Sequence, residues 1–544
     1  MVPAGQTLLA SHEHLSHGGP SSPGSVRVAS AVMPERTAPT SPRGFPPRLS
    51  LPELWAVLAV VLPILGALLA TISTVDLAYH LRAGAIVLDQ RTLPSPDTFT
   101  FTAGGLPWFD QQWAAQVAFA ALFRAGGWGL LAVVRALLVG LVAWLVFRAC
   151  RWAGAETRVA AWLTLSGFVV GLVALGLRPQ LLGMVMFAAT VAILAARGPR
   201  PSLVWAIPLI IIAWSNVHGS FFLGPAAVVV AWLEDVAGDR PGARRLLGVA
   251  VVSLGATVVN PYGAAVWSYA FGLAANPTIR RLISEWQVTS PLSFIGVLFY
   301  GSIAAVVAVV VVSIWRRTGG SSATRLFLRR TWPTLLWMVG LVAIGAIAER
   351  GVAWWSIAAP VAVARLLYLP AAVRANDPDA IESASASLAV RRSLVPTGIV
   401  ALLLVAIVAL LPFWRAADPV YGPSGLLAEA PRGITDAVLA VARPGDRIWN
   451  AQRWGSWLEL AVPAATVAVD SRIEFIPTDA WADHLALSGG ASDWSSILDR
   501  RGVTIIVASA TEQESLIPLL RSSASWTSAF ADPDGAVFVR AGRT

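Results

Sequence analysis

An α-helical polytopic membrane protein of about eleven spans, ending in a small α/β domain, is the fold class this sequence predicts. Three observations carry that expectation. First, 56% of the residues are hydrophobic, 13% are charged and mean hydropathy is +0.66, outside the range of ordinary soluble domains. Second, apolar stretches of spanning length recur from Leu54 to Phe413, divided by short polar or Pro/Gly-rich breaks. Third, the pattern changes after Phe413: the strand-like runs "DRIWNA", "TVAVD", "GVTIIVAS" and "GAVFVRA" alternate with helical stretches such as Gly433 to Ala442 and Ser495 to Arg501.

Along the chain, residues 1–50 are rich in Ser, Pro, Gly, His and Arg without hydrophobic periodicity, the composition of a disordered tail. The run from Leu54 to Thr74 is too long, and its flank too poor in a cleavage signal, for a removed signal peptide, so it reads as the first span. Orientation follows from arginine, since the sequence contains no lysine. Alternate loops carry Arg148, Arg151 and Arg158; Arg197 and Arg200; Arg240, Arg244 and Arg245; Arg316 to Arg330; and Arg374, Arg391 and Arg392. Positive loops stay inside, which puts the N-terminus in the cytoplasm and the C-terminal domain outside. The expected division is a cytoplasmic tail at 1–50, a transmembrane domain at 51–415 with its first outer loop at 76–127, and an extracytoplasmic α/β domain at 416–544. The net charge of +9 then belongs to cytoplasmic loops, not to a nucleic-acid surface. The single cysteine, Cys150, excludes an intrachain disulfide framework.

The first outer segment opens "TVDLAYHLRAG" and runs to "PWFDQQWAAQVAF". Its spacing predicts a surface helix over Asp76 to Gln90 and a second over Asp110 to Arg124, with Asp76 and His80 on one face and Arg82 on another. Two readings of Asp76 stand on the residues alone. It is a solvated helix cap, or it is an ionised carboxylate acting as a base or cation ligand beside a lipid-carried substrate. Further along, Asn216 and His218 in "WSNVHGSFFLG" mark a helix break where a histidine could hydrogen-bond sugar or phosphate, or merely the neighbouring loop. Arg280, Arg281, Glu285 and Trp286 combine two cations, an acid and an indole face: a phosphate and sugar site, or a salt-bridged loop with an interfacial anchor. Glu349 and Arg350 share a very short outer loop, paired with each other or offering Arg350 to a donor phosphate. Arg135 and Arg178 are secondary phosphate candidates. The tryptophans, 24 of them, read mostly as an interfacial belt, and Asp470, Arg472 and Glu474 sit just past a predicted strand, where α/β sheets bind ligands.

The order "DLAYHLRAG", "PSPDTFTFTAGGLPWFDQQW", "WSNVHGSFFLG", "NPYG", "ISEW", "ER" and "RWGSWLELAVPAATVAVDSRIEF" resembles the C-type glycosyltransferase superfamily and, more narrowly, a bacterial membrane group within it. The resemblance runs from about Leu54 to the C-terminus. It implies a multi-pass enzyme of the bacterial plasma membrane that moves a sugar from a polyprenyl-phosphate carrier to an extracytoplasmic glycan, lipid or protein acceptor of the cell envelope. It also implies that Asp76, matching the superfamily's acidic residue after the first span, is catalytic. His80 joins it on the same helix face; Arg82, Asp97, Asp110, Asn216, His218, Arg280, Arg281, Glu285, Trp286 and Arg350 complete the expected substrate-binding set. Inversion at the anomeric carbon is expected, with Asp76 accepting the acceptor's proton and Arg280, Arg281 or Arg350 stabilising the leaving phosphate. No GxGxxG, P-loop or HExxH pattern suggests a cofactor. A divalent cation on Asp76 with Asp97 or Asp110 is the one metal the pattern allows, and irregularly spaced carboxylates are a weak metal signature. The rival readings are a ligase or polymerase of lipid-linked oligosaccharide, and a non-catalytic lipid-glycan transporter or assembly scaffold.

Overall fold

In the computed structural model, which describes residues 48–315, 321–368 and 392–542, the first span is helix α1, Leu51–Leu69. The expected tail therefore falls, up to residue 47, outside the described residues, as do Arg316, Arg317, Arg374 and Arg391. A capping box starts α1: the Ser50 hydroxyl accepts from the Glu53 amide at 3.3 Å, and the Ser50 amide donates to the Glu53 carboxylate at 2.7 Å. Its 19 residues extend about 29 Å, close to the hydrocarbon thickness of a bilayer.

Helix α2, Leu77–Gln90, and helix α3, Trp113–Trp152, realise the two predicted surface helices with shifted ends. The second does not stop at Arg124. It continues through Gly126 and Gly127, whose non-helical backbone (Gly127 φ 58°) breaks α3 into a surface piece and a spanning piece. α2 lies directly on the first turns of α3 because Gly84 has no side chain; a Cβ there would fall 2.0 Å from the Gln116 carbonyl oxygen.

The bundle continues through α4 (Thr157–Val170), α5 (Pro179–Ala195), α6 (Ile207–Ser215), α7 (Leu223–Ala237), α8 (Ala243–Ala256), α9 (Ala265–Ala275) and the short α10 (Pro277–Leu282). It closes with α11 (Phe294–Trp315), α12 (Ser321–Ile347), α13 (Val352–Tyr368) and α14 (Leu394–Leu410). Among the described residues six helical segments are long and apolar enough to cross a membrane, and five further apolar helices are 10–17 residues long. The segment containing α13 is 83% buried and that of α11 only 17%, so α13 is the central helix and α11 presents its apolar surface outward.

Arg135 sits on the spanning part of α3 and is fully buried. Its guanidinium donates to the carbonyls of Ala67 and Ala70, both at 2.6 Å, and to that of Thr71, which satisfies the open C-terminal end of α1. Arg135 is thus a helix cap supplied by a neighbouring helix, and its two Nη groups are engaged by backbone carbonyls. Arg135→Leu is expected to cost about 2–4 kcal/mol, since hydrogen bonds from a charged donor are the stronger kind; thermal unfolding in detergent measures it.

Two of the three short strand pairs tie distant segments together, and the third is a local turn. β1 (Leu49–Ser50) pairs with β3 (Arg392–Ser393), β2 (Ile72–Ser73) runs parallel to β6 (Leu427–Ala428), and β4 (Ala417–Asp418) pairs with β5 (Gly422–Pro423). The C-terminal domain is a mixed five-stranded sheet built of β7 (Arg447–Asn450), β8 (Thr466–Val467), β9 (Ile505–Ser509), β10 (Trp526–Ala531) and β11 (Gly535–Arg540), in the order β10-β11-β9-β7-β8. β7, β8 and β9 are parallel; β11 and β10 add antiparallel. Four of the five are the strand-like runs read from the sequence; β10 is the addition. The segment after α2 covers the free edge of β8: the Phe101 amide donates to the Val467 carbonyl at 3.0 Å and the Val467 amide to that of Phe99 at 3.3 Å.

Candidate functional site

Asp76 is delivered to its place by the join between the first span and the C-terminal domain. After α1 the chain pairs as β2, and Thr74 is fastened by its amide and hydroxyl to the Ala428 carbonyl at 3.2 and 3.0 Å. Two residues later Asp76 occupies the N-cap position of α2, yet its side chain makes no capping hydrogen bond. The carboxylate turns instead to Arg178, whose Nε lies 3.0 Å from Oδ2. Asp76 thus holds the N-cap position without a capping hydrogen bond and spends its carboxylate on an ion pair.

Arg178 stands at the N-cap of α5, followed by Pro179 at the first helical position. A cation there opposes the helix dipole, so its location calls for other partners. It has two: Asp76, and Glu285 at 2.6 Å through Nη1. Glu285 comes from the turn Ser284–Trp286, after α10, so one guanidinium joins three segments distant in sequence. Burial works to raise the Asp76 carboxyl, but Arg178, His80, the Ser471 hydroxyl and Arg350 together outweigh it and hold Asp76 below the ordinary aspartate range.

These groups face a cavity enclosing about 250 Å³ of water-accessible space, between the helix bundle and the C-terminal domain. His80 and His218 reach it. Burial holds both imidazoles neutral, lowering each to about 3. The tautomer of His218 follows from its partner: its Nδ1 accepts from the Ser220 amide at 3.2 Å, so the neutral ring carries its proton on Nε2. Also on the cavity wall, Arg350 lies 4.6 Å over the Trp286 ring, and its backbone carbonyl accepts from Gln180 at 3.1 Å. Among the described residues Arg350 forms no ion pair; its guanidinium has only a long 3.5 Å contact with the Gln180 side-chain oxygen. Leu273, Ile279 and Leu282 give the wall an apolar edge.

The structure therefore brings together Asp76, His80, His218, Glu285, Trp286 and Arg350 from the expected set, and places the other six elsewhere. Arg82 donates to the Glu459 carbonyl at 2.9 Å and lies over Phe99. Asp97 is buried against Arg472 at 2.8 Å. Asp110 is buried, hydrogen-bonded to Gln116 at 2.7 Å, and pushed up to about 7 by that burial. With Asp97 and Asp110 both off the cavity wall, the cation set anticipated around Asp76 is not assembled, and among the described residues no three His, Cys, Asp or Glu side chains are grouped to hold a metal. Asn216 spends its side chain on Trp113, Ile212 and Val259. Arg280 and Arg281 are exposed because α10 turns its apolar side, with Ile279 buried, inward.

Arg178 and Glu474 are central residues that the sequence left secondary, and Gln180 and Ser471 are additions from the structure. Arg178 had a legible signal, an arginine immediately before a helix-starting proline. Gln180 and Ser471 had none.

No family model matches the sequence, and no curated protein aligns with it. Among solved structures, the crystal structure of the Archaeoglobus fulgidus oligosaccharyltransferase tethered by a disulfide bond to an acceptor peptide containing the NVT sequon superposes with a TM-score of 0.51 at 12% identity, covering 90% of this chain and 73% of that one. The apo form of the same enzyme gives a TM-score of 0.50 at 11% identity, covering 90% and 74%. At such identity the likeness is one of architecture: over nine-tenths of its length the chain is similar in fold to an oligosaccharyltransferase of the C-type glycosyltransferase fold.

Proposed function

We propose that this chain is a membrane glycosyltransferase that moves a sugar from a polyprenyl-phosphate carrier to an acceptor on the extracytoplasmic face of the bacterial plasma membrane, inverting the anomeric carbon. The observation that carries the reading is the cavity where Asp76, from the end of the first span, meets Arg178, Arg350 and Trp286 at the C-terminal domain. Arg178 is already neutralised by two carboxylates, which leaves Arg350 as the guanidinium available to a phosphate. Trp286 backs that guanidinium and fixes its plane. The donor phosphate binds Arg350, the sugar fills the cavity, and the isoprenoid tail leaves along Leu273, Ile279 and Leu282. The His218 Nε2 proton is a donor for a sugar hydroxyl or phosphate oxygen. As the bond from anomeric carbon to phosphate breaks, positive charge grows on the sugar ring and negative charge on the leaving oxygen; ionised Asp76 faces the first and Arg350 the second.

A second reading, transfer of a whole lipid-linked oligosaccharide, is favoured by the fold likeness to an oligosaccharyltransferase. Against it stands the size of the cavity: about 250 Å³ falls below the roughly 300–1,000 Å³ of drug-sized sites and suits one sugar with its phosphate. The test offers purified protein radiolabelled sugars on polyprenyl monophosphate and, separately, lipid-linked oligosaccharides, with envelope glycan extracts as acceptors. Label leaving the monophosphate donors supports the proposal, and label leaving only the oligosaccharide donors selects the second reading. No turnover by a stable protein on any donor overturns both and leaves a scaffold. Arg350→Gln is expected to raise the KM for donor by about 10- to 100-fold, the value of a charge-assisted contact, with steady-state kinetics as the check.

A further inference from the structure

Beside Asp76 and Glu285, the cavity contains a third carboxylate, to which the reaction above gives no work. Glu474 belongs to the C-terminal domain, shortly after β8, and reaches the same cavity as Asp76. Local structure aims it there. The Arg472 amide donates to the Asp470 carboxylate at 2.7 Å, bending the chain, so that Ile473, packed in the domain core, and Glu474 both reach the cavity wall. From α9 the Tyr269 hydroxyl donates to its carboxylate at 3.5 Å.

Glu474 differs from the other two in its partners, since Glu285, like Asp76, is paired to Arg178. Asp76 is ion-paired at 3.0 Å to Arg178, whereas Glu474, among the described residues, forms no ion pair. A carboxylate held by a guanidinium stays ionised and is a weak proton acceptor; one without a cation is the better base. We propose that Glu474, in place of the Asp76 expected from the sequence, accepts the acceptor's proton while Asp76, paired to Arg178, remains ionised beside the sugar, a division of labour that rests on the glycosyltransferase reading. The acceptor O–H bond breaks and its electron pair forms the new bond to the anomeric carbon. The bond from that carbon to the phosphate oxygen breaks with its pair leaving on the phosphate, at Arg350. The proton passes to Glu474 and then to water when product departs, so no further reactant is needed.

The surroundings of Glu474 agree. Burial raises its carboxyl; its own backbone amide opposes this, Asp470 raises it, Arg472 lowers it and Asp76 raises it, with a net result above the ordinary glutamate range. Tyr79 on α2, Tyr269 on α9 and Arg350 are the other titratable or charged groups facing it. A base must be deprotonated to act, so kcat/KM should rise with pH through the Glu474 titration, above the ordinary carboxylate range, and then level off.

The test uses the full chain and the donor that wild type accepts, with pH profiles of kcat/KM for wild type, Glu474→Gln, Glu474→Asp and Asp76→Asn, donor binding and thermal unfolding. Glu474→Gln should lower kcat by about 100- to 10,000-fold, the range for a lost general base, remove the acid limb and leave donor Kd within about 2-fold; Glu474→Asp should retain the limb at a reduced rate. Transfer by Glu474→Gln at the wild-type rate, or a limb that survives in Glu474→Gln and vanishes from the residual activity of Asp76→Asn, overturns the assignment and leaves the glycosyltransferase standing. An equal loss in Glu474→Gln and Glu474→Asp accompanied by unfolding shows a structural role instead. Absence of transfer by wild type overturns the glycosyltransferase reading and this assignment with it.

Discussion

Asp76→Asn is expected to reduce sugar transfer by about 100- to 1,000-fold, the cost of removing one preorganised electrostatic group from a transition state, while thermal unfolding barely moves. The separation of the two effects is the informative part. Asparagine keeps the shape of the side chain and loses only its charge, so the developing positive charge on the sugar loses the anion facing it. Stability should survive for two reasons visible in the structure. Asp76 contributes no capping hydrogen bond to α2, and Arg178 keeps Glu285 at 2.6 Å when Asp76 is neutralised. The Asp76 side chain is 26% exposed, so the lost pair should cost no more than about 1 kcal/mol. Single-turnover transfer and a thermal scan on the same preparation check both halves. Full activity in the variant would remove Asp76 from the reaction, and a large fall in unfolding temperature would make its pair with Arg178 an anchor of the fold.

Arg472→Met should be the most destabilising single change described here, by about 3–5 kcal/mol, because it strands buried carboxylates. Arg472 is 1% exposed; it holds Asp97, from the segment after α2, at 2.8 Å and Asp470 of its own domain. Its guanidinium also lies over the rings of Trp108 and Phe99, at 4.5 and 4.9 Å. One side chain therefore fastens the segment after α2 to the C-terminal sheet, the same join that sets Ser471 and Glu474 on the cavity wall. Thermal unfolding should show the loss. Adding Asp97→Asn to Arg472→Met should recover part of it, because one of the stranded charges is removed. If the double variant is no better than the single, the join is held by aromatic packing instead of charge.

Much of this was legible in the sequence, and the reasons are local. The apolar run from Leu54 announces α1 and the alternating runs announce β7, β8, β9 and β11, while the capping box of Ser50 and Glu53 and the break at Gly126 and Gly127 came from the structure. Trp526–Ala531 was harder to see, because only Trp526 is buried and the antiparallel pairing to β11 holds it in place. Of the site, the sequence marked Asp76, His80, His218, Glu285, Trp286 and Arg350 as chemistry near helix ends, because ionisable or amphipathic groups beside long apolar runs are costly unless used.

What the sequence by itself determined was a set of apolar helices with polar ends and a C-terminal sheet, since both follow from periodicities within a dozen residues. Only the tertiary structure decided which polar ends meet. Asp76, Arg178 and Glu285 are joined by ion pairs across 102 and 107 positions (178 − 76 and 285 − 178), and such pairs leave no periodic trace in a chain. The same holds in reverse for Arg280 and Arg281, chosen from the sequence for their charge: a single turn of α10, burying Ile279, sends them to solvent and leaves Arg350 as the guanidinium on the cavity wall without an ion pair among the described residues.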